Sequence, residues 1–556
     1  MPIGMAGTSR FTNEWALRLL LAMIFFAGAT LSYKVVLGYW SVDDDIVDLY
    51  MLWKGISQHG LHYLGTWSYT ADNWLLSLLP PYSLLYDWFG PRPGLLVGVG
   101  WFIFVLDVLL TALIIYRVAG SWYAGIVACV LIFPHYMVLG PAGLLGHPVT
   151  HNSSLAWVLL ALLLALQGIK TFRARWHIAS ALTTLVVCLS DPWAIPVFLF
   201  PVTAISLLLG YWPGQQLRHH DNVLTLGFCM LVVVLLTKTR LFGLFSFLPP
   251  YYMVYPTWAK AHENLHWIIQ AFGIMFPTIP TYDPTLTWSW SLSLLALVAA
   301  IAFALWRFAT TWASTTLSQQ FTVLISITSI GGVVLANVVG QPPQGLSILH
   351  LLINAYFLIP LMIVVALSLK ECSKLAIGAI VTWAFLLIAT GMFSASSTAR
   401  SQTPASTDLL RSTKPLAEFL KGQNLTYGYG PYWGAHANAV TWYTRGGITI
   451  RPVRFDPLTG RIINQHEQSS SLWTHDGDIP ADQGTFFIAV GNDGEVCPDV
   501  NICIAGVIAQ FGKPEKTLHF ITDRADLTIF VWSHSLLVSP GTLLPAAATS
   551  HQPGEQ

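Results

Sequence analysis

Charge is what this sequence has least of. Among 556 residues, 27 are Lys or Arg and 27 are Asp or Glu, which makes 10% of the chain charged and gives a formal net charge of zero. Ordinary soluble proteins carry about 25% charged residues, so this composition argues against a soluble globular protein. It also provides no basic surface that would neutralise phosphates, which argues against a nucleic-acid partner.

Apolar residues take the place of the missing charge. They make up 54% of the chain, with 23 Trp and a mean hydropathy of +0.59. Their long runs predict a polytopic α-helical membrane protein. We predict about eleven transmembrane helices, over Leu17–Tyr39, Gly94–Tyr116, Trp122–Leu139, Asn152–Ile169, Trp176–Leu189, Ala194–Tyr211, Asn222–Leu236, Trp290–Trp306, Phe321–Val339, Ser347–Leu369 and Leu375–Phe393.

The sidedness of the few cations sets the predicted orientation. The first span lacks a small-residue cleavage site before the acidic residues that follow it, so we interpret it as an uncleaved helix. The resulting N-in, C-out topology predicts a plasma (inner) membrane protein with segments 41–92 and 238–289 and the C-terminus on the extracytoplasmic, or periplasmic, face. It places these cations in cytoplasmic turns, as the positive-inside rule requires: Arg117, Lys170, Arg173, Arg175, Arg218, Arg307, Lys370 and Lys374.

Acidic residues are concentrated directly after the first span. Four of the 27 lie within six positions: Asp43, Asp44, Asp45 and Asp48. If a helix begins at Asp44, then Asp44 and Asp48 lie one turn apart, and the apolar residues form a separate stripe. We therefore predict a helix in the membrane interface with its carboxylates facing outward. Crowded carboxylates raise one another's pKa or bind a cation, which favours a functional site over a solvated acidic loop.

Polar residues also mark two short outer turns. His147 and His151 lie four positions apart at the start of the fourth span, so both rings converge if the turn is helical. A polar rim without a metal is the alternative. Asp191 lies between two apolar spans, where an ionisable group usually has a function or a partner. Capping of the following helix is the alternative for Asp191.

The outer segment 238–289 is long for a connection between spans, and long loops are often lids or binding segments. His350 marks another break near the outer end of the tenth span. Outer cations at the headgroup level bind a phosphate or simply contact anionic lipid, and the sequence leaves both interpretations open. The long segment carries four candidates for such contacts: Lys238, Arg240, Lys260 and His262.

Charge returns after the last span. Residues 397–411 are rich in Ser, Thr, Ala and Pro, which is typical of a linker, and they separate a transmembrane module at 1–396 from a small extracytoplasmic α/β domain at 412–535. Cys497 and Cys503 in this domain predict a disulfide in an oxidising compartment. The tail 536–556 is predicted to be disordered. The domain's predicted elements are a helix at Pro415–Gly422 and strands at Leu425–Gly430, Gly447–Phe455, Thr485–Gly491, Leu518–Ile521 and Leu527–Trp532.

The acid cluster carries a resemblance to a known superfamily. Asp43-Asp44-Asp45, followed by Tyr50, Gly55 and His59-Gly60-Leu61, resembles the first-outer-loop signature of the GT-C glycosyltransferases. These are integral-membrane enzymes that use lipid-phosphate sugar donors. The layout of eleven spans is similar to that of the protein O-mannosyltransferase and aminoarabinose transferase branches. Segment 425–433 resembles the start of the outer domain in related bacterial members.

The resemblance implies an inverting glycosyltransferase that moves a sugar from a polyprenyl-phosphate donor to a glycan, lipid or protein acceptor. Such a transfer needs a base for the acceptor hydroxyl, a site for the departing phosphate and a groove for the lipid. We choose Asp44 as the base, because Asp45 and Asp48 support it from the next turn; Asp43 is almost as good a choice, being the first acid when the family's pair is aligned. A divalent cation stays open. The candidates for the donor phosphate or substrate are Asp48, His147, His151, Asp191, Lys238, Arg240, Lys260, His262 and His350.

Two other classes compete with this interpretation. A lipid-linked glycan ligase or polymerase would use a similar donor on the same face of the membrane. A transporter or flippase would place ionisable residues at mid-membrane on discontinuous helices, often with internal repeats. We expect charged side chains only at the ends of the spans, which favours chemistry at the membrane surface over transport.

Overall fold

The computed structural model describes residues 6–212, 217–245, 247–248, 257–279, 287–340, 342, 345–369, 374–401, 408–465, 467–474, 485–491, 497, 499–522 and 525–536. The α-helices in this part of the chain are α1 (Ala6–Tyr39), α2 (Asp44–His59), α3 (Leu79–Phe89), α4 (Pro93–Val118), α5 (Ser121–Leu131), α6 (Tyr136–Leu139), α7 (His151–Thr171), α8 (Ala174–Ser190), α9 (Phe200–Gly210), α10 (Leu217–Lys238), α11 (Trp258–Met275), α12 (Thr287–Thr311), α13 (Leu317–Val338), α14 (Ile353–Leu367), α15 (Lys374–Ser401), α16 (Lys414–Gly422), α17 (Ala437–Tyr443) and α18 (Val500–Phe511). The strands are β1 (Trp67–Ser68), β2 (Tyr427–Pro431), β3 (Thr449–Phe455), β4 (Ile462–Asn464), β5 (Ser469–Ser470), β6 (Phe486–Gly491), β7 (Lys516–Ile521) and β8 (Asp526–Trp532).

The chain divides into two compact units. The first, the helical unit, comprises Met1–Ser41 and Ala71–Leu409, and the second, the sheet unit, comprises Val42–Thr70 and Leu410–Gln556. This division differs from the predicted domains, because the acidic part of the first outer segment belongs with the C-terminal domain. The predicted linker differs too, since α15 continues to Ser401. Most of the tail that was predicted to be disordered lies outside the described residues.

The helical unit is built from apolar helices of membrane-spanning length. Three of the eleven predicted spans coincide with apolar helices that are shorter than this: Ser121–Leu131, Ala174–Ser190 and Ile195–Gly210. Every residue of α14 is buried, so this helix lies at the centre of the unit. In the described part of the chain, eight helices are long and apolar enough to cross a membrane: Trp15–Tyr39, Pro93–Val118, His151–Thr171, His219–Lys238, Trp288–Ser314, Leu317–Val338, Gly345–Leu367 and Ile377–Arg400.

Prolines and one long connection change the predicted elements. The predicted span Trp122–Leu139 is broken at Pro134 into α5 and α6, because a proline removes a helical hydrogen bond and clashes with the preceding turn. Pro80 and Pro81 do the opposite, since they occupy the first turn of α3, where proline costs no hydrogen bond. Segment Asn73–Phe89 is therefore a turn followed by one helix. Segment 238–289 contains the amphipathic helix α11.

Asp107 contradicts the expectation that charged side chains occur only at the ends of the spans. It lies near the middle of α4 and is fully buried. Neither of its carboxylate oxygens, nor the hydroxyl of Thr111 one turn later, has a hydrogen-bond partner among the described residues. Within a span such a carboxyl is costly, so charge position no longer argues against a transporter.

The sheet unit contains a six-stranded sheet in the order β4-β3-β2-β6-β8-β7. Strand β2 runs parallel to β3 and β6, while the outer pairings are antiparallel. One face of the sheet packs a core around Leu416, Leu420 and Val440 of α16 and α17. The other face packs a core that includes Trp532 and Val507 of α18. The strands predicted from β-branched and aromatic runs are confirmed, with ends shifted by a few residues.

A disulfide joins Cys497 to Cys503 in the second core, at the start of α18. Replacing both residues by Ser should lower the stability of the sheet unit by about 2 kcal/mol, because the bond closes a short loop in the unfolded chain. Thermal unfolding of the full chain in detergent, with and without reductant, measures this loss. A wild-type chain whose melting is insensitive to reductant, and whose two thiols are free by mass spectrometry, would contradict the expectation.

Candidate functional site

The acidic residues are organised by α2 in the sheet unit. Asp43 precedes the helix as its N-cap and accepts a hydrogen bond from the Ile46 amide at 3.0 Å. Carboxylates at a helix N-terminus are stabilised by the unpaired amides and by the helix dipole, which explains why an acidic run begins a helix here. The far end of α2 closes at Gly60, whose φ of 77° favours glycine. Gly55 leaves room for the Tyr63 ring, which a Cβ would overlap.

Asp44 is fully buried and bound at the start of α17. Its Oδ1 accepts from the backbone amides of Asn438 at 2.8 Å and Ala439 at 3.0 Å, and its Oδ2 lies 3.2 Å from His436 Nδ1. The side chain of His436, the N-cap residue, does not cap α17, so Asp44 supplies the cap from another helix. Burial raises the pKa of Asp44, although hydrogen bonds from His436 and Ala439 oppose the shift.

Asp48, one turn later, is also buried. Its Oδ2 accepts from the Tyr432 hydroxyl at 2.6 Å and its Oδ1 from the Asn438 side-chain amide at 2.8 Å. Burial, followed by the charge of Asp45, raises the pKa of Asp48 well above its usual range despite these donors. Asp48 therefore retains a proton at pH values where an exposed carboxyl has lost it.

Asp45 is partly exposed and shares the same tyrosine. Its Oδ1 accepts from the Tyr432 hydroxyl at 2.9 Å and from Gln468 Nε2 at 3.1 Å. One hydroxyl proton serves only one acceptor at a time. Both short contacts are satisfied if protonated Asp48 donates to the Tyr432 oxygen and Tyr432 donates to Asp45. Burial and the surrounding carboxylates raise the pKa of Tyr432 well above its usual range, so its hydroxyl stays protonated.

The acid cluster is thus divided into a buried pair, Asp44 and Asp48, and a partly exposed pair, Asp43 and Asp45. The prediction that the carboxylates of α2 face outward is wrong for the buried pair. The physical reason is that α2 packs on α17, whose backbone amides and Asn438 replace the water that these carboxylates would otherwise need. The helix that begins at Asp44 is confirmed.

A second polar cluster lies in the helical unit and joins three predicted candidates. His151 is the first residue of α7, Asp191 follows the end of α8, and His350 belongs to the 3₁₀ segment Gly345–Leu352. His151 Nδ1 lies 2.7 Å from Asp191 Oδ2, and the rings of His151 and His350 stack at 5.7 Å. Sequence spacing paired His151 with His147, whereas the structure pairs it with residues 40 positions or more away.

The surroundings fix the orientation of this cluster. Trp193 also stacks on the His151 ring at 5.2 Å, and its indole donates to the Leu351 carbonyl at 2.8 Å. Asp191 Oδ2 also accepts from the Ser154 hydroxyl at 2.6 Å, while its Oδ1 accepts from the Trp193 amide at 3.0 Å. Asp191 therefore has a partner in His151, while its other oxygen closes the turn at Trp193; the N-cap of the following helical segment is Ala194, so Asp191 does not cap that helix.

The chemistry of this pair follows from its contacts. An aspartate beside Nδ1 favours the tautomer that carries its proton there, which leaves Nε2 of His151 as an acceptor, or as a donor when the ring is charged. A charged His151 ring can donate from Nε2 to an oxyanion such as a phosphate. In the described residues no group of three or more His, Cys, Asp or Glu side chains could hold a metal ion.

The other predicted candidates lie on different elements. His147 bonds within its own turn to Val149 and stacks on Trp40 at 4.7 Å. Lys238 ends α10 and Arg240 donates to the Leu248 carbonyl. In α11, Lys260 pairs with Glu263 at 3.1 Å, and His262 is exposed.

An apolar cavity of about 670 Å³ opens in the helical unit between α3, α4 and α7. Ser153 lines it, and the next residue, Ser154, bonds to Asp191. The Trp157 indole closes one side by donating to the Ser77 carbonyl at 3.2 Å. The remaining wall is almost wholly apolar, as a hydrocarbon chain requires: Leu78, Pro81, Leu85, Leu95, Val99, Phe102, Leu106, Ala156 and Leu160.

Sequence reasoning missed the residues that hold both clusters. Tyr432, His436, Asn438 and Gln468 bind the acids of α2 across more than 380 positions of chain. The family-like segment 425–433 contained Tyr432 and was the one available signal. Nothing in the local pattern identified Trp193 as the ring that stacks on His151.

The fold matches that of a solved membrane enzyme. The chain superposes on ArnT from Cupriavidus metallidurans bound to undecaprenyl phosphate with a TM-score of 0.53 and 11% identity, over 93% of this chain and 99% of ArnT. It also matches the Archaeoglobus fulgidus oligosaccharyltransferase in complex with Zn and sulfate, with a TM-score of 0.44 and 12% identity over 90% and 72% of the two chains. No protein-family profile and no curated sequence matches. The resemblance to GT-C glycosyltransferases is confirmed as a likeness of fold.

Proposed function

From this shared GT-C fold, we propose that the chain is an inverting glycosyltransferase that moves a sugar from a polyprenyl-phosphate donor to an acceptor on the extracytoplasmic face of the membrane. The observation that carries the proposal is an apolar cavity lined by Ser153, which follows by two positions on α7 the His151 that pairs with Asp191. A prenyl chain needs the apolar wall, and its phosphate needs the polar donors. ArnT, which has this fold, was solved with undecaprenyl phosphate bound.

The base is assigned to the partly exposed pair, Asp43 and Asp45. Asp44 accepts two backbone hydrogen bonds and a His contact while fully buried, so its carboxylate is already committed. Asp43 lies at the partly exposed end of α2, and its Oδ1 caps the helix, which fixes the side chain. We therefore assign the base to Asp43, with Asp45 as the second choice.

The step is a single displacement. The acceptor hydroxyl oxygen attacks the anomeric carbon, and the bond from that carbon to the phosphate oxygen breaks. The hydroxyl proton passes to the Asp43 carboxylate, and polyprenyl phosphate leaves with the bonding electron pair. One displacement inverts the configuration at the anomeric carbon. Within the helical unit, His151 Nε2 and His350 are the proposed contacts for a phosphate whose charge grows.

The assay that tests the function uses membranes containing the chain and a panel of radiolabelled polyprenyl-phosphate sugars. We expect the label to move to a membrane or envelope acceptor only when the chain is present. A ligase or polymerase would instead move a preassembled glycan, so lengthening products from lipid-linked oligosaccharides would favour that alternative. If the intact labelled lipid moved between leaflets and no sugar were transferred, the chain would be a flippase and not a transferase.

The eleven-span topology also becomes a proposal, in which residue 43 and the sheet unit lie outside the plasma membrane. Single-Cys variants in a Cys-free background, labelled in intact cells with an impermeant maleimide, measure it. We expect labelling from outside at positions 43 and 500. Labelling of position 43 from outside but position 500 only after permeabilisation would contradict the topology.

Filling the cavity should weaken use of a long-chain donor. Gly98 lines the cavity and has open space beside it, so Gly98→Phe projects a ring inside without a clash. Displacing about two methylene contacts at about 0.8 kcal/mol each should raise the KM for a long-chain donor about tenfold. A short-chain donor should keep its KM and kcat.

The matched control is Gly378→Phe, which adds the same ring to the exposed face of α15, again in open space. Its KM for both donors should stay at the wild-type value. Equal KM values for the long-chain donor in Gly98→Phe and Gly378→Phe would exclude the cavity as the lipid groove.

A further inference from the structure

The contacts of α2 show that the sheet unit holds the acid helix through a few specific groups. Tyr432 reaches both Asp45 and Asp48, and Asn438 reaches Asp48 through its side chain and Asp44 through its backbone. These donors lie on the turn that runs from the end of β2 to the start of α17. The sequence between Asp44 and Asn438 spans 394 positions, so the arrangement is entirely tertiary.

We propose that Tyr432 and Asn438 are positioning residues of the transferase, which anchor the buried carboxylates Asp44 and Asp48 so that Asp43 and Asp45 are held in place for the acceptor. The role in sugar transfer rests on the proposed function. The anchoring of α2 does not, because it follows from hydrogen bonds within the sheet unit. It assigns the C-terminal domain a role in the reaction, as the part that fixes the geometry of α2.

Burial makes this anchor specific. Asp44 and Asp48 are removed from water, so each needs the donors that the turn supplies, and losing one leaves a buried acceptor unsatisfied. The partly exposed pair, Asp43 and Asp45, is held indirectly. Asp45 receives the Tyr432 hydroxyl and the Gln468 amide, and Asp43 is fixed because it caps the same helix. A shift of α2 by a fraction of an ångström therefore moves the base, and catalysis is sensitive to misplacement of that size.

The tyrosine has a matched partner for comparison. Tyr429 lies on β2, three residues before Tyr432, is also buried, and donates its hydroxyl to the Leu536 carbonyl at 3.0 Å. Tyr432→Phe and Tyr429→Phe therefore each remove one buried hydroxyl from the sheet unit. The first change removes the hydroxyl that bonds to the acid helix, and the second removes the hydroxyl that bonds to Leu536.

The test measures hydrogen exchange and kinetics on the full chain in detergent. In Tyr432→Phe we expect amide exchange in α2 to become about tenfold faster, with kcat about tenfold lower and the KM values for donor and acceptor unchanged. Tyr429→Phe should leave the exchange of α2 and kcat at wild-type values. Unchanged α2 exchange in Tyr432→Phe, or equal effects in both variants, would overturn the inference.

The exchange result separates this inference from the proposed function. If the wild-type chain transfers no sugar but Tyr432→Phe still loosens α2, the anchoring stands and the transferase assignment fails. If transfer is observed while α2 is unaffected in Tyr432→Phe, the function stands and the positioning role fails. Asn438→Ala supplies a second variant, expected to loosen α2 in the same way, because it removes the other side-chain donor to Asp48.

A pH profile gives a readout that a general loss of stability would not change. The titratable groups around Asp48 are Asp44 and Asp45 on α2 and Tyr432 and His436 on the turn, while Tyr63 packs at Gly55, seven residues along the helix. The pKa of Asp48 is raised on folding by its burial. The stability that Asp48 adds to the folded sheet unit is therefore fully present below its unfolded pKa, about 4. It is lost as pH rises through the folded pKa.

The corresponding variant is Asp48→Asn, which keeps the shape and cannot ionise. We expect the wild-type α2 to exchange faster as pH rises, after correction for intrinsic exchange rates, and the Asp48→Asn helix to lose this dependence. A wild-type helix whose corrected exchange does not change with pH would contradict a proton held at Asp48.

Discussion

Asp43→Asn is expected to lower kcat by about 10² to 10⁴, the usual contribution of a positioned general base. The substitution preserves size and still offers an oxygen to cap α2 through the Ile46 amide, so the helix should persist. Donor and acceptor KM values should change little, because the carboxylate acts on a proton that moves in the transition state. Initial rates with a radiolabelled donor, alongside exchange measurements on α2, check both parts of the expectation.

Asp44→Asn is the informative comparison. Its side chain cannot give the backbone amides of Asn438 and Ala439 a charged acceptor, so we expect a less stable sheet unit as well as reduced activity. If Asp44→Asn abolished turnover with normal folding while Asp43→Asn and Asp45→Asn stayed active, the sequence-based choice of Asp44 as base would be right. If all three variants retained full activity, the acid cluster would not be the catalytic centre, and Asp191 and Glu263 would be tested next.

Asp191→Asn is expected to reduce kcat/KM for the donor by about 10- to 100-fold, the usual cost of losing a carboxylate that orients a functional histidine. An amide is a weaker acceptor than a carboxylate for the His151 Nδ1 proton, so the orientation of the ring toward the phosphate is less well fixed. Initial rates at a series of donor concentrations measure the loss.

Ser154→Ala is the control for this prediction. It removes the other hydrogen bond to Asp191 Oδ2 and leaves the contact with His151 intact, so we expect an effect of no more than a few fold. An equal loss in Ser154→Ala and Asp191→Asn would mean that the cluster has a packing role. Full activity in Asp191→Asn would remove the pair from the donor site.

The sequence predicted the elements whose signals are local. The apolar runs located the long helices, and the cap formed by Asp43 is visible as an acidic residue just before an apolar periodic segment. The strands of the sheet unit followed from aromatic and β-branched runs. Proline shows the limit of a local rule, because its position in a helix decides its effect. Pro80 and Pro81 lie in the first turn of α3, where they begin the helix and do not break it.

The candidate sites were predicted as residues but not as arrangements. Asp191 and His350 were named singly, and only the packing of distant segments reveals that both meet His151. The outward orientation assigned to α2 failed because hydrophobic periodicity cannot anticipate that a protein surface will supply hydrogen bonds to two carboxylates. Asp107 was also overlooked, because the apolar content of its predicted span outweighs a single acidic residue. That residue is buried in α4.

The two-segment construction of the sheet unit has a consequence for how the chain is made. Residues 42–70 leave the ribosome long before their partners at 410 and beyond, and Asp44 waits for 394 further residues before Asn438 is synthesised. At a synthesis rate of about 5–20 residues per second, this wait lasts roughly 20–80 s, during which the acids are hydrated and the helix is unanchored. A chain that stops before α17 is completed would carry every acidic residue of the motif without their final arrangement. The acidic residues of α2 therefore reach their final arrangement only after α17 has been synthesised.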